Sequence, residues 1–554
     1  MAVTHLLVVV IAAIGLTIFA ERRQVQAPLL LAAVGIAASI IPGFPEITLA
    51  PQLILSLVLP PLLYSAALEF SFFSFMKRIG SILNLGVLLV LATTVAGGAV
   101  VGLMLPSLSL PLAFVLAAAV APPDAVSAVA IGRTLGLPSR LMTILKGESL
   151  INDAAALTLF SATAAAATGR HTLIGNGALY FLYTAVAGLI IGIVLARLVH
   201  AIRRRLLNPS LVTALAFLTP FAAYALAEEA HASGVIAVVF AGFTLGHNAA
   251  QMPFAGRIQE REVWRVADTL LEACVFAYMG LQFRFIISDA GQSGYSLTSL
   301  AAAAAALFAT VVLMRMLWIF GAAELGRLRR RLRSATASSP RRKLAEPLGW
   351  RENLVLSWAG MRGVVTLAAA AGTPLFTGEG TPLAGRAALL PIAFVVAMAT
   401  LLLQGLTLPW LIRRLGVESA EDIERRQLEL SHAYAIMTKA GEAAFDELTA
   451  KQGSAADLSM ARLMLERMQP FIEDGTVPAQ PGLVRSHANA LVAADAVLTA
   501  QRKALIAERN AERLEDEIVR DLLTGIDIEQ AALLARAVHS PREAGSVVRA
   551  SPLP

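Results

Sequence analysis

Charge is scarce in this sequence. Asp, Glu, Lys and Arg make up 15% of its 554 residues, and aromatic residues only 6%. One cysteine, Cys274, excludes an internal disulfide, and it lies in an apolar run. There is no H-E-x-x-H pattern and no G-x-x-x-x-G-K-[ST] phosphate loop, so a zinc hydrolase of that type and a primary pump are set aside. The Gly-x-Gly-Asp of intramembrane aspartyl proteases is missing as well, and no cofactor is implied. The net charge of +6 does not suggest nucleic acid, because the basic residues sit in short loops between apolar stretches.

What the chain has instead is apolar sequence, 57% of the whole. Thirteen blocks stand out: 4–20, 26–42, 50–68, 80–105, 111–131, 141–167, 177–200, 208–230, 232–250, 266–287, 297–325, 353–374 and 387–412. Most approach the ~20 residues needed to cross a hydrocarbon core of roughly 30 Å. The first lacks a basic start and a small-residue cleavage site, so it reads as a span rather than a signal peptide. Residues 1–414 hold 30 Lys and Arg against 17 Asp and Glu, whereas residues 415–554 hold 15 against 22. Basic connections such as Arg22-Arg23, Lys77-Arg78, Arg203-Arg204-Arg205 and Arg413-Arg414 alternate with connections poor in positive charge. That asymmetry places the N-terminus outside and the C-terminus in the cytoplasm of a cell (inner) membrane protein.

After Arg414 the apolar blocks stop. Leu430, Tyr434, Met437, Ala444 and Leu448 recur at helical spacing, as do Leu458, Ala461, Leu465 and Met468, and then Leu514, Ile518 and Leu522. A cytoplasmic helical domain is therefore expected over 415–554, broken near Pro478–Pro481 and with its last ~15 residues, after Pro541, disordered.

Polar groups at membrane depth carry the chemistry. Acids inside a span are costly, so two in one span mark an ion or proton path. The sixth block carries Glu148, Ser149, Asn152 and Asp153. Ser149 and Asp153, four apart, share one helix face, and Glu148 and Asn152 share the neighbouring one. Oxygen atoms on the first face suit a small hard cation. In the fifth block Pro122-Pro123 stops the helix beside Asp124, and in the twelfth Arg362 is flanked by Gly360 and Gly363. Interrupted helices at membrane depth must line a cavity or be buried in protein. Two of opposite direction, one acidic and one basic, are the pattern of an inverted-repeat transporter. The third block adds a Pro60-Pro61 break and Glu69, which either serves the site or marks the cytoplasmic end of its span. Arg315 is expected to snorkel or pair, Asp268 to start a helix, and His231 to lie on the outer surface.

Pro122-Pro123-Asp124-Ala125-Val126, Gly147-Glu148-Ser149-Leu150-Ile151-Asn152-Asp153 and Gly360-Met361-Arg362-Gly363-Val364-Val365 resemble, in order and spacing, the signature stretches of the cation:proton antiporter-1 family. This family contains the bacterial NhaP-type antiporters and the eukaryotic sodium–proton exchangers. The resemblance implies a homodimer of 13-helix protomers, with Asp153 as the shared cation and proton carboxylate and Ser149 as a cation ligand. It implies that Asn152 and Asp124 stabilise the crossing of the interrupted helices and that Glu148 pairs with Arg362. The chain departs from the family at Ser65, where many members carry an acid, and offers Glu69 one turn later.

The residues lead to the same chemistry on their own. Burial disfavours the charged form of a carboxylate, so Asp153 is neutralised by a proton or by a cation, hardly by both. Such competition, joined to alternating access, gives cation/proton exchange. With neutral Asn152 beside Asp153, one acid cycles and the exchange is one-for-one and electroneutral. Na⁺ is the expected cation, with Li⁺ or K⁺ as alternatives, and a K⁺-selective efflux system or cation channel of related fold is the competing reading.

Overall fold

The computed structural model describes residues 2–23, 25–42, 53–70, 72–169, 177–206, 208–249, 252, 254–291, 294–334, 348–417, 420–452, 484–511 and 513–538. Among them helix is the only extended regular structure; a single bridge joins Phe376 to Pro382. Among the described residues seven helices are long and apolar enough to cross a membrane: Phe75–Met104, Ser139–Thr168, Leu179–Arg203, Pro209–Glu229, Phe254–Ala290, Leu297–Leu328 and Arg386–Leu415. Shorter apolar helices, Ala27–Ser39, Ile54–Glu69, Leu110–Val120 and Gly234–Asn248, accompany them. The protein is thus an all-α, polytopic membrane chain.

Two compact units divide the chain. The first is Met1–Leu207, Leu211–His247 and Glu262–Ser419; the second is Asn208–Ser210, Asn248–Arg261 and Ala420–Pro554. In the first unit the apolar side chains left exposed follow helical spacing. Leu182, Val186, Ile190, Val194 and Leu198 form one stripe along the helix Gly177–Arg203, as a lipid-facing surface does. Against lipid there is little hydrophobic gain in bringing helices together, so close packing of small residues has to do it. Gly242 and Gly246 provide it for the helix Gly234–Asn248. A Cβ on Gly242 would stand 2.9 Å from the Tyr64 carbonyl, and one on Gly246 2.6 Å from the Leu68 carbonyl.

Two helices are interrupted where the sequence places Pro122-Pro123 and the Gly360/Gly363 pair. Leu110–Val120 resumes as Val126–Thr134, and Trp350–Trp358 resumes as Val364–Ala371. The third block behaves differently: Pro60 and Pro61 break nothing. A π turn, Ile54–Val58, runs directly into Leu59–Glu69, so both prolines fall in the first turn of the α segment, where no intrahelical donor is required. Two further π turns, Asn84–Leu88 and Thr400–Gln404, lie inside long helices. Each packs on the central machinery. Gly86 of one faces Ile151 and the Asn152 backbone, Thr400 of another accepts the Arg362 backbone N–H at 3.0 Å, and Leu55 of the first reaches Gly372.

The helix Phe254–Leu281 starts well before the expected 266, which moves Asp268 from a helix start to an interior position. In the second unit, Ala420–Gln452, Val484–Asn510 and Asp516–Val538 enclose a core of Ala433, Leu498, Leu505, Ile518, Val519 and Ile526. Asp527 accepts from Arg257 Nε at 2.9 Å and also pairs with Arg502, tying the segment Asn248–Arg261 to the tail helices of the same unit. Burial pulls the Arg502 guanidinium down to about 10, with Arg257 adding to the effect and Asp527 opposing it. The periodic stretch 458–468, the break near Pro478 and the end after Pro541 lie outside the described residues.

Candidate functional site

Two chain breaks meet face to face. The Asp124 backbone N–H donates to the Met361 carbonyl at 2.6 Å, while Asp124 Oδ1 accepts from the Val126 N–H at 2.9 Å. Asp124 therefore caps the start of Val126–Thr134. Its other oxygen lies against Gly363, the residue preceding Val364–Ala371, so that a Cβ at Gly363 would overlap the carboxylate. One negative charge thus serves two helix N-termini, the ends that carry partial positive charge. Arg362 does the converse. It donates to Val120 O at 3.1 Å and Ala121 O at 3.2 Å, and also to Gly360 O, so one buried guanidinium occupies the carbonyl ends of Leu110–Val120 and Trp350–Trp358. Double proline and paired glycines make this possible, since the first removes donors and the second clears space for the opposing acid.

The helix Ser139–Thr168 passes beside the crossing. Asn152 Nδ2 donates to the Pro123 carbonyl at 2.6 Å and so holds the first break. Asp153 is next in sequence, 7% exposed, and makes no hydrogen bond or ion pair among the described residues. It does sense the negative charge of Asp124. Ser149, one turn earlier on the same face, is half-buried and likewise makes no hydrogen bond among the described residues. A carboxylate and a hydroxyl with no hydrogen bond or ion pair among the described residues thus lie one turn apart beside the crossing, an arrangement of oxygens chemically able to take a cation or a proton.

Glu148 does not pair with Arg362. Arg315 takes it in a two-pronged ion pair, Nη2 to Oε2 at 2.9 Å and Nη1 to Oε1, and also donates to the Leu356 carbonyl through Nε at 3.1 Å. Arg362 is engaged by the helix-end carbonyls, while Arg315 lies 2% exposed against Gly360. Its place in an apolar span was the signal for such a partner, since a buried guanidinium requires one. Glu69 is not at the crossing either. It ends its helix with a side chain 64% exposed, 3.6 Å from Arg133. Ser65, one turn before it, is buried and donates to Asp268 Oδ2, a contact between positions 203 apart that the sequence did not indicate.

Residues 8–414 match the model of the family described as sodium/hydrogen exchanger, transmembrane. The chain belongs to the sodium/hydrogen exchanger family. An uncharacterized Na⁺/H⁺ exchanger of Mycobacterium tuberculosis is 31% identical over 528 residues, 94% of each chain. A sodium, potassium, lithium and rubidium/H⁺ antiporter of Bacillus pumilus is 29% identical, covering 73% of this chain and 60% of that protein. Among solved structures, the sodium proton antiporter MjNhaP1 of Methanocaldococcus jannaschii superposes with a TM-score of 0.55 at 17% identity, over 75% of this chain and 98% of that one. The fold is shared. As a member of this family the chain is a transporter and not an enzyme.

Proposed function

We propose that this exchanger swaps a monovalent cation for a proton by alternating access, with both competing for Asp153. Na⁺ is the first candidate and Li⁺ or K⁺ are alternatives, in line with the cations named for the Bacillus pumilus relative. The observation that carries the reading is the state of Asp153: buried, without a hydrogen bond or ion pair among the described residues, and next to Asn152, which holds the helix break. Holding a bare carboxylate there is expensive unless a cargo ion neutralises it. Ser149 supplies a second oxygen. Asp124, Asn152 and Arg362 hold the crossing, and Glu148 with Arg315 fixes the helices around it. Arg315 answers Glu148 in a two-pronged ion pair and the neighbour of Asp153 is the neutral Asn152, so Asp153 is the one acid of its helix left to change load, which supports one-for-one, electroneutral exchange.

Counting each broken helix once, the helices from Ala2 to Leu415 support thirteen spans. We place residues 1–414 in the inner membrane as the transport domain of a homodimer, N-terminus outside, and residues 415–554 in the cytoplasm. The deciding experiment is cation-driven collapse of a pH gradient in proteoliposomes with Na⁺, Li⁺ and K⁺ in turn. Wild type is expected to collapse the gradient, and Asp153→Asn to abolish the effect. Undiminished exchange by the variant would remove Asp153 from the mechanism.

A further inference from the structure

Asp268 and Glu272 stand one turn apart on the helix Phe254–Leu281, and exchange through Asp153 makes no use of either. Two like charges on one face of a membrane helix repel, and each requires compensation. Yet neither makes an ion pair among the described residues. Asp268 is held on one side only: Oδ2 accepts from the Ser65 hydroxyl, whereas Oδ1 is shut off from solvent and has no hydrogen-bond partner among the described residues. A carboxylate oxygen sealed away without a donor is costly, and a cation in transit would relieve that cost. Ser65 is only 4% exposed and spends its one proton on Asp268, which leaves its oxygen lone pairs free to face a cation.

These acids lie within electrostatic reach of one another in turn. Exposed Glu69 sits beside Arg133, and Asp268 senses the charge of Glu69. Glu272 lies within electrostatic reach of both Asp268 and Asp124, and Asp153 within reach of Asp124. Exposure falls along the same order, from Glu69 at 64% through the half-buried Asp268 and Glu272 to Asp153 at 7%. Asp124 is committed to the crossing, and Glu69 is paired at the surface. The free carboxylate oxygens between surface and centre belong to the helix Phe254–Leu281.

We propose that Asp268, oriented by Ser65, is a relay position for the transported cation, held by Asp268 Oδ1 and the Ser65 oxygen on its way to Asp153. This rests on the antiport reading of Asp153 and adds a second cation-binding position to it. A relay position sets how readily the cation is captured, and Asp153 sets whether exchange occurs at all. The test is the Na⁺ dependence of initial exchange rates in proteoliposomes for wild type, Asp268→Asn, Asp268→Glu and Ser65→Ala, with Asp153→Asn as the control. Asp268→Asn is expected to raise the KM for Na⁺ about fivefold or more with kcat within about twofold, the signature of lost capture rather than lost turnover. Asp268→Glu is expected to bring KM back towards wild type, and Ser65→Ala to raise it about threefold. An unchanged KM in Asp268→Asn overturns the proposal, whatever happens to kcat, because a purely structural role would lower the amount of active protein instead. Should that variant fail to reach the membrane, Ser65→Ala, which alters no charge, decides in the same way. Full exchange by the Asp153→Asn control would instead bring down the antiport reading, and this inference with it.

Discussion

Glu148 and Arg315 are both 2% exposed at their side chains and meet in two parallel contacts, so each compensates the other's buried charge. A buried pair of this kind adds little net stability, but breaking it strands an ion in a medium that solvates it poorly. Arg315→Ala is expected to cost about 3–5 kcal/mol, and the double variant Glu148→Leu/Arg315→Leu to recover most of that loss. Thermal unfolding in detergent, monitored by the intrinsic fluorescence of the folded chain, checks both numbers. Much of this was legible beforehand at the level of single residues. Acids in an apolar block are conspicuous, and Glu148, Asn152, Asp153 and Asp124 all lie at or around the crossing. Their partners were less legible, because Arg315 and Arg362 offer the same guanidinium and local sequence does not say which one reaches Glu148. The structure assigns them by reach: Arg362 is drawn to carbonyls at two helix ends, leaving Arg315 for the acid.

At the scale of elements, the two broken helices owe their form to opposite devices. Pro122-Pro123 removes donors, whereas Gly363 removes bulk, and Asp124 fills the space that Gly363 leaves. Gly363→Ala is therefore expected to be among the most damaging single methyl additions in the chain. It should cost about 1–3 kcal/mol or more by overpacking and push Asp124 away from the helix starts it serves. A lowered melting temperature together with slowed exchange in proteoliposomes is the expected readout, and wild-type behaviour in both would show that the crossing can yield. Both breaks could be read from residue type alone, since proline and glycine act through local backbone geometry. Pro60-Pro61 misled for the same reason. Local rules gave a break, but the preceding π turn absorbs the prolines, and such turns are set by packing between helices rather than by the residues within them.

On the scale of the whole molecule, charge complementarity reaches across long stretches of sequence. Arg257 and Asp527 are 270 positions apart, and Asp527, 1% exposed at its side chain, also answers Arg502. Asp527→Ala would leave two guanidinium groups facing one another without an acid between them. The expected result is a loss of about 3–5 kcal/mol from the second unit, seen as faster hydrogen exchange in the helices Val484–Asn510 and Asp516–Val538. Unaltered protection there would mean that the Arg502 hydrogen bond to Gln530 Oε1, with Gln530 donating in turn to Asp495, is enough to hold the helices. No local pattern announces such a pair, which is why the tail read as a bundle of its own while the structure adds Asn208–Ser210 and Asn248–Arg261 to it. Because that unit is discontinuous in sequence, it has an order of assembly. During synthesis the segment around Arg257 leaves the ribosome long before Asp527 exists, so its guanidinium waits for the last described helix before the unit can close. A chain cut short before that helix would carry an arginine prepared for a partner that never arrives.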